Sequence, residues 1–206
     1  FFFQDAHSES KPQAVAVSKK ISSSMRYSVI TLLTLMILVS IYKTNIIPAK
    51  ANYAMTRGIV ASWDNNDQVA LAKFREALKH DNAFSYDLRH RYAQYVLEHI
   101  SVFAEEKIDA GSVLLGAIDQ VKKNLSSPRD YLPYLYLSRM YIILGKDDPT
   151  SSFNYLALQS SLKALEISPT FIRTYYEVAQ GYLNIGDYGN AVKIFKRATE
   201  LNPDVS

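Results

Sequence analysis

Residues 172–203 read IRTYYEVAQGYLNIGDYGNAVKIFKRATELNP. Counting Ile172 as position 1, Tyr175, Val178, Ala179 and Tyr182 fall at 4, 7, 8 and 11. That spacing lines one face of a first helix. Ala191, Phe195 and Ala198 fall at 20, 24 and 27 and line one face of a second. Small Ala179 and Ala191 let the two helices approach closely, and the large side chains fill the space around them. Gly186-Asp187 supplies the turn between the helices, and Pro203 opens the next unit. A helical pair of this kind cannot bury both faces alone, so neighbours must stack on it.

The pattern recurs upstream. Tyr134, Leu137, Ser138, Tyr141 and Gly145 repeat positions 4, 7, 8, 11 and 15, while Ala157, Ser161, Ala164 and Pro169 repeat 20, 24, 27 and 32. A third, degenerate copy uses Gly58, Ala61, Asn65, Ala70, Phe74, Ala77 and Asn82, with only Ala54 at position 4. These residues resemble the tetratricopeptide (TPR) repeat, a helix–turn–helix unit of 34 residues. The resemblance implies a protein-binding role and no reaction. Gly145 and Gly186 stand 41 residues apart, seven more than one repeat. The excess lies around Lys146-Asp147-Asp148-Pro149-Thr150-Ser151-Ser152, so either the turn is enlarged or the second helix gains a turn.

Between the copies, Tyr86, Leu88, Tyr92, Tyr95, Val96, His99 and Ile100 give one helical stripe. Ile108, Val113, Leu114, Ala117, Ile118 and Val121 give another, and Ser126-Ser127-Pro128 closes the pair. The expected fold is therefore all-α: an N-terminal transmembrane helix, then a TPR-like α-solenoid of helical hairpins. The expected divisions are a cytoplasmic loop at 1–24, a span at 25–47, a degenerate repeat at 51–83, a TPR-like hairpin at 84–127, a repeat with an insertion at 131–169, and a repeat at 170–203.

The span rests on Tyr27 to Tyr42, YSVITLLTLMILVSIY, sixteen residues without a charge, between Arg26 and Lys43. The bare run covers about 24 Å, short of a hydrocarbon core of about 30 Å. Counting on to Ile47 spans it if Lys43 snorkels to the headgroups. Tyr27 and Tyr42 sit where interfacial aromatics belong, and Pro48 is expected to end the helix. A buried core helix and a secretory signal cleaved at Ala49-Lys50-Ala51 are the rivals. Phe1-Phe2-Phe3 reads as the end of a preceding span. Lys11, Lys19, Lys20 and Arg26 precede the run, which places residues 48–206 outside the cytoplasm.

Charge narrows the function. Residues 1–50 carry six Lys and Arg against two acids, and residues 51–206 carry seventeen against eighteen. The repeat region is thus nearly neutral, without the basic stripe of a nucleic-acid binder. The absence of cysteine rules out disulfides, thiolate metal sites and thiol nucleophiles. No phosphate-binding glycine motif and no metal-ligand spacing occurs, so neither a cofactor nor a metal is expected. His90, between Arg89 and Arg91, reads as part of a solvated face. Glu105-Glu106 and Asp147-Asp148 read as turns or caps.

The fifteen tyrosines mostly occupy repeat positions. Tyr131, Tyr136 and Tyr176 leave the packing stripe, and with Arg139 and Arg173 they form the candidate partner-binding face for a protein or peptide. A second resemblance concerns the layout. The segment YKTNIIPA (42–49), followed by FREAL (74–78) and YDLR (86–89), is similar to the C-terminal end of bacterial O-antigen ligase or polymerase-like membrane proteins. That resemblance implies a role beside transfer of lipid-linked glycans, with the catalytic residues upstream of this chain. The alternative is a membrane-anchored TPR adaptor without enzymatic activity. A secreted TPR protein is the third reading.

Overall fold

In the computed structural model, residues 22–80, 82, 85–103, 105–127 and 129–201 are described. The expected loop at 1–24, Phe1-Phe2-Phe3, Pro128 and Pro203 lie wholly or largely outside them. Among the described residues every regular element is helical. The chain divides into two compact units, Phe1–Ile41 and Tyr42–Ser206.

In the first unit, α1 runs from Ser23 to Ile41 and buries none of its side chains. It is apolar all round, as a helix facing hydrocarbon would be. The Thr34 hydroxyl donates to the Ile30 carbonyl at 2.9 Å, so this polar group is satisfied within the helix. Among the described residues one helical stretch, Ser23–Trp63, contains a segment long and apolar enough to cross a membrane. Pro48 does not end a helix, contrary to the expectation. It sits in the first turn of α2 (Ile47–Trp63), just after a single π-helical turn at Tyr42–Ile46. A proline is tolerated there because first-turn N–H groups have no essential acceptor inside the helix, and the wide π turn eases the clash with the ring.

Among the described residues the second unit holds four helical pairs. They are α2 with α3 (Asp67–Leu78), α4 (Ser85–His99) with α5 (Ala110–Lys122), α6 (Leu132–Gly145) with α7 (Ser152–Ile167), and α8 (Ile172–Asn184) with α9 (Tyr188–Leu201). A 3-10 turn, Lys123–Ser126, follows α5. First helices of successive pairs also touch: α4 packs on α6 and α6 on α8. Each second helix starts on a side-chain cap. Asn66 accepts from Val69 N, Asp109 from Ser112 N, Ser151 from Phe153 N and Asp187 from Asn190 N. Such caps satisfy N–H groups that the helix itself leaves free. The Ser112 hydroxyl and amide hold the Asp109 carboxyl below its usual range.

The small repeat positions and several large ones form the interior, while Tyr134, Tyr182 and Phe195 are half-buried. Ala54, Ala61, Ala70, Phe74 and Ala77 are buried in the first pair; Leu137, Tyr141, Ala157 and Ala164 in the third; Tyr175, Val178, Ala179, Ala191 and Ala198 in the last. Phe74 stacks on Tyr95 of α4 with ring centroids 4.6 Å apart, which joins the first pair to the second.

The three residues at repeat position 15 solve the turn in different ways. Gly186 has φ +79 and Asn65 has φ 53, both left-handed, a conformation that glycine and asparagine tolerate best. Gly145 ends α6 for another reason: a Cβ there would overlap the side chain of Asn154. Three of the seven extra residues lengthen the connection, which occupies residues 146–151 between α6 and α7 against residues 185–187 between α8 and α9, and the other four extend the end of α6 and the start of α7 by two each. The Asp148 carboxylate organises that connection by accepting from the Thr150 amide at 2.9 Å and hydroxyl at 2.7 Å.

Candidate partner-binding face

The first helices α4, α6 and α8 lie side by side and share a row of polar and aromatic contacts. Tyr136 of α6 packs its ring edge on His90 of α4, with centroids 4.5 Å apart and the hydroxyl 3.2 Å from Nε2. Tyr86 stacks on the same imidazole from one turn earlier, at 6.3 Å. Arg139 Nε donates to Glu177 Oε1 at 2.6 Å and ties α6 to α8. Tyr131 meets Phe171 at 5.1 Å.

These contacts sort the five residues named from the sequence. Tyr136 is buried, not exposed, which corrects the expectation. Its position leaves the stripe that packs within its own hairpin, but it faces the preceding hairpin instead of solvent. Arg139 is spent on the Glu177 pair, and Tyr131 is half-buried against Phe171. Arg173 and Tyr176 remain exposed. Arg173 makes no ion pair or side-chain hydrogen bond among the described residues, and Tyr176 leans toward Phe195 of α9 at 6.2 Å. His90 is also corrected: it is half-buried between two tyrosines. Burial lowers its pKa, opposed by the Asp87 charge and aided by that of Arg91. Its Nδ1 and the Tyr86 hydroxyl are buried without a hydrogen-bond partner among the described residues.

A cleft of about 280 Å³ opens where the end of α2 meets α3 and α4. Ile59, Trp63, Phe74 and Tyr95 form its walls, and Arg91, Gln94, Glu98 and His99 its rim. Trp63, the one tryptophan in the chain, is 75% exposed. Behind the rim, Asp67 is 2% exposed, and its Oδ1 accepts from the Tyr95 hydroxyl at 2.7 Å and from His99 Nδ1 at 2.9 Å. Two donors on one buried carboxylate compensate its desolvation. Burial, then the bond to Asp67 and its negative charge, raises the Tyr95 hydroxyl far above the usual phenol range. The cleft residues were not singled out from the sequence. Tyr95 and His99 share a helical face at i and i+4, but nothing local shows that this face meets the first turn of α3. Among the described residues no group of three metal-ligating side chains converges.

The family model for the tetratricopeptide repeat matches residues 172–205. The search of curated proteins returns no match. Among solved structures, MamA from AMB-1 superposes with a TM-score of 0.52 at 18% identity, covering 87% of this chain and 94% of that one. A second MamA crystal structure gives 0.51 at 18% identity, covering 89% and 96%. At that identity the likeness is one of fold, and it extends the TPR-like architecture over the hairpins beyond the matched repeat.

Proposed function

We propose that this chain is a membrane-anchored TPR platform whose first-helix face receives a segment of a protein partner. The observation that carries the reading is the aromatic-walled cleft beneath an exposed Trp63, on a scaffold that also leaves Arg173 and Tyr176 open. Tryptophan, tyrosine and arginine dominate the binding energy of protein interfaces, because each combines a large apolar area with polar atoms. No cofactor or nucleic acid enters this reading. The test places a photo-crosslinking residue at Arg173 or Tyr176, and at Val192 on the exposed side of α9 as a control, in native membranes. One discrete adduct from the first two positions and none from Val192 supports the reading. Adducts of equal yield from all three, or from none, overturn it.

The anchor is α1, supported by its length, its apolar surface on all sides and the basic residues around it. Alkaline carbonate washing should leave the full chain in the membrane pellet, and release into the supernatant overturns the anchor. The Lys and Arg excess before α1 supports an external side for the repeats. A reporter fused after Ser206 that works only in the cytoplasm overturns that orientation.

A second reading makes this platform the tail of a glycan-transferring membrane protein of the O-antigen ligase kind. The sequence segments at 42–49, 74–78 and 86–89 suggest it. Several apolar spans encoded directly upstream support this reading, and a start codon directly before Phe1 overturns it in favour of the adaptor.

A further inference from the structure

We propose that the groove between the second helices α5 and α7 takes an acidic segment of a protein partner, with an apolar side chain on its floor and a carboxylate at Lys122. This surface is separate from the first-helix face and stands whether or not that face is used. The groove measures about 410 Å³. Buried Leu137 and Tyr141 of α6 form its floor, and Leu125 and Leu156 stand on either side. An open apolar floor with a polar rim marks an interaction surface. The repeat shows why this space is open. Ser160 stands at position 23, where the last hairpin carries a half-buried Ile194. The short serine side chain turns back on its own helix and donates to the Leu156 carbonyl at 2.7 Å. The architecture thus accommodates a branched apolar side chain at this place in one hairpin and leaves it out in the other.

Charge selects the rest of the segment. The charged side chains lining the groove are Lys122 and Lys163, both basic. Lys163 is held at 2.8 Å by Glu166, one turn further along α7. Lys122 makes no ion pair or side-chain hydrogen bond among the described residues. Asp119 and Glu166 are the nearest carboxylates along the two helices, and neither lines the groove. A carboxylate beside the entering apolar side chain therefore meets a cation that no protein group neutralises. A lysine or arginine in its place meets like charge. A second copy of this face would bring lysine against lysine, so the occupant is a different, acidic chain.

The absence of native cysteine allows a single reporter. Leu115→Cys, on the exposed face of α5 seven residues before Lys122, carries an environment-sensitive dye. The full chain in detergent micelles is titrated with four N-acetyl tetrapeptide amides, Ile-Leu-Asp-Glu, Ile-Leu-Asn-Gln, Ile-Leu-Lys-Lys and Ser-Ser-Asp-Glu. A saturable response to Ile-Leu-Asp-Glu is expected, with Ile-Leu-Asn-Gln about threefold weaker and the other two weaker still. In Lys122→Gln the difference between the Asp-Glu and Asn-Gln peptides should vanish. In Ser160→Ile, which fills the groove, the response should be lost with the helical circular dichroism unchanged. Ile-Leu-Lys-Lys or Ser-Ser-Asp-Glu binding as tightly as Ile-Leu-Asp-Glu overturns the proposal without any variant. A full acidic preference in folded Lys122→Gln overturns it too, as does silence of all four peptides. Saturable binding of dioctanoyl phosphatidylglycerol with every peptide silent makes the groove a lipid contact and removes the protein partner.

Discussion

Gly145→Ala tests the packing of the third hairpin most sharply. A Cβ at Gly145 would overlap Asn154 Oδ1 and lie 2.8 Å from its Cγ and 3.1 Å from its backbone nitrogen. Asn154 is fully buried, so its side chain has no free space to move into. That side chain makes three hydrogen bonds: Nδ2 donates to the carbonyls of Gly145 at 3.1 Å and Asp148 at 2.9 Å, and Oδ1 accepts from Asn184 Nδ2 at 3.1 Å. Turning it away gives up about 1 kcal/mol per bond, roughly 3 in all. Alanine returns about 1 kcal/mol of helix propensity, which leaves a net loss of about 2 kcal/mol. If the asparagine stays and the helices shift, overpacking costs a similar 1–3 kcal/mol. Asn154→Ala alone loses the three bonds, about 3 kcal/mol. In the double variant the overlap is gone and the propensity gain remains, so the loss should be only about 2 kcal/mol. The double-mutant cycle then shows a coupling of about 3 kcal/mol. Urea unfolding of the full chain in detergent, followed by helical circular dichroism, measures all four proteins. Additive losses within about 0.5 kcal/mol would refute the argument that Gly145 is glycine on account of Asn154.

Three further predictions use the same measurement. Ala191→Leu places a branched side chain at a fully buried helix contact and should cost about 1–3 kcal/mol; a variant as stable as the parent would misplace position 20 of the repeat. Tyr95→Phe removes the 2.7 Å bond to the buried Asp67 carboxylate and should cost about 1.5–3 kcal/mol, whereas no change would mean that His99 alone suffices. Burial holds the His90 pKa below its ordinary value, so near and below about pH 6.5 the unfolded chain binds a proton that the folded chain refuses. Stability should therefore be fully present at neutral pH and fall as pH drops through about 6.5 toward the lowered folded value, with a smaller fall in His90→Gln. Equal falls in both proteins would place the proton uptake elsewhere.

The hairpins could be read from the chain because their information is local. Ala179, Ala191 and Ala198 repeat at helical spacing beside Tyr175 and Val178, and that periodicity alone defines two helical faces and a turn at Gly186-Asp187. The apolar run 27–42 is equally plain, being a property of composition. Local pattern misled at Pro48, where a π turn and a first-turn position absorb the proline, and at Tyr136, which leaves its own hairpin's stripe only to enter the neighbour's. The seven additional residues before Ala157 could be counted, but their division between the connection and the two flanking helices is set by how α6 and α7 pack, with Asn154 filling the space beside Gly145. The cleft was invisible for the same reason. Asp67, Tyr95 and His99 come from separate helical pairs, and their distances follow from how one hairpin is rotated against the next. Spacing along a helix fixes which side chains share a face; what that face meets is set by packing between segments far apart in the chain, and no local rule encodes it.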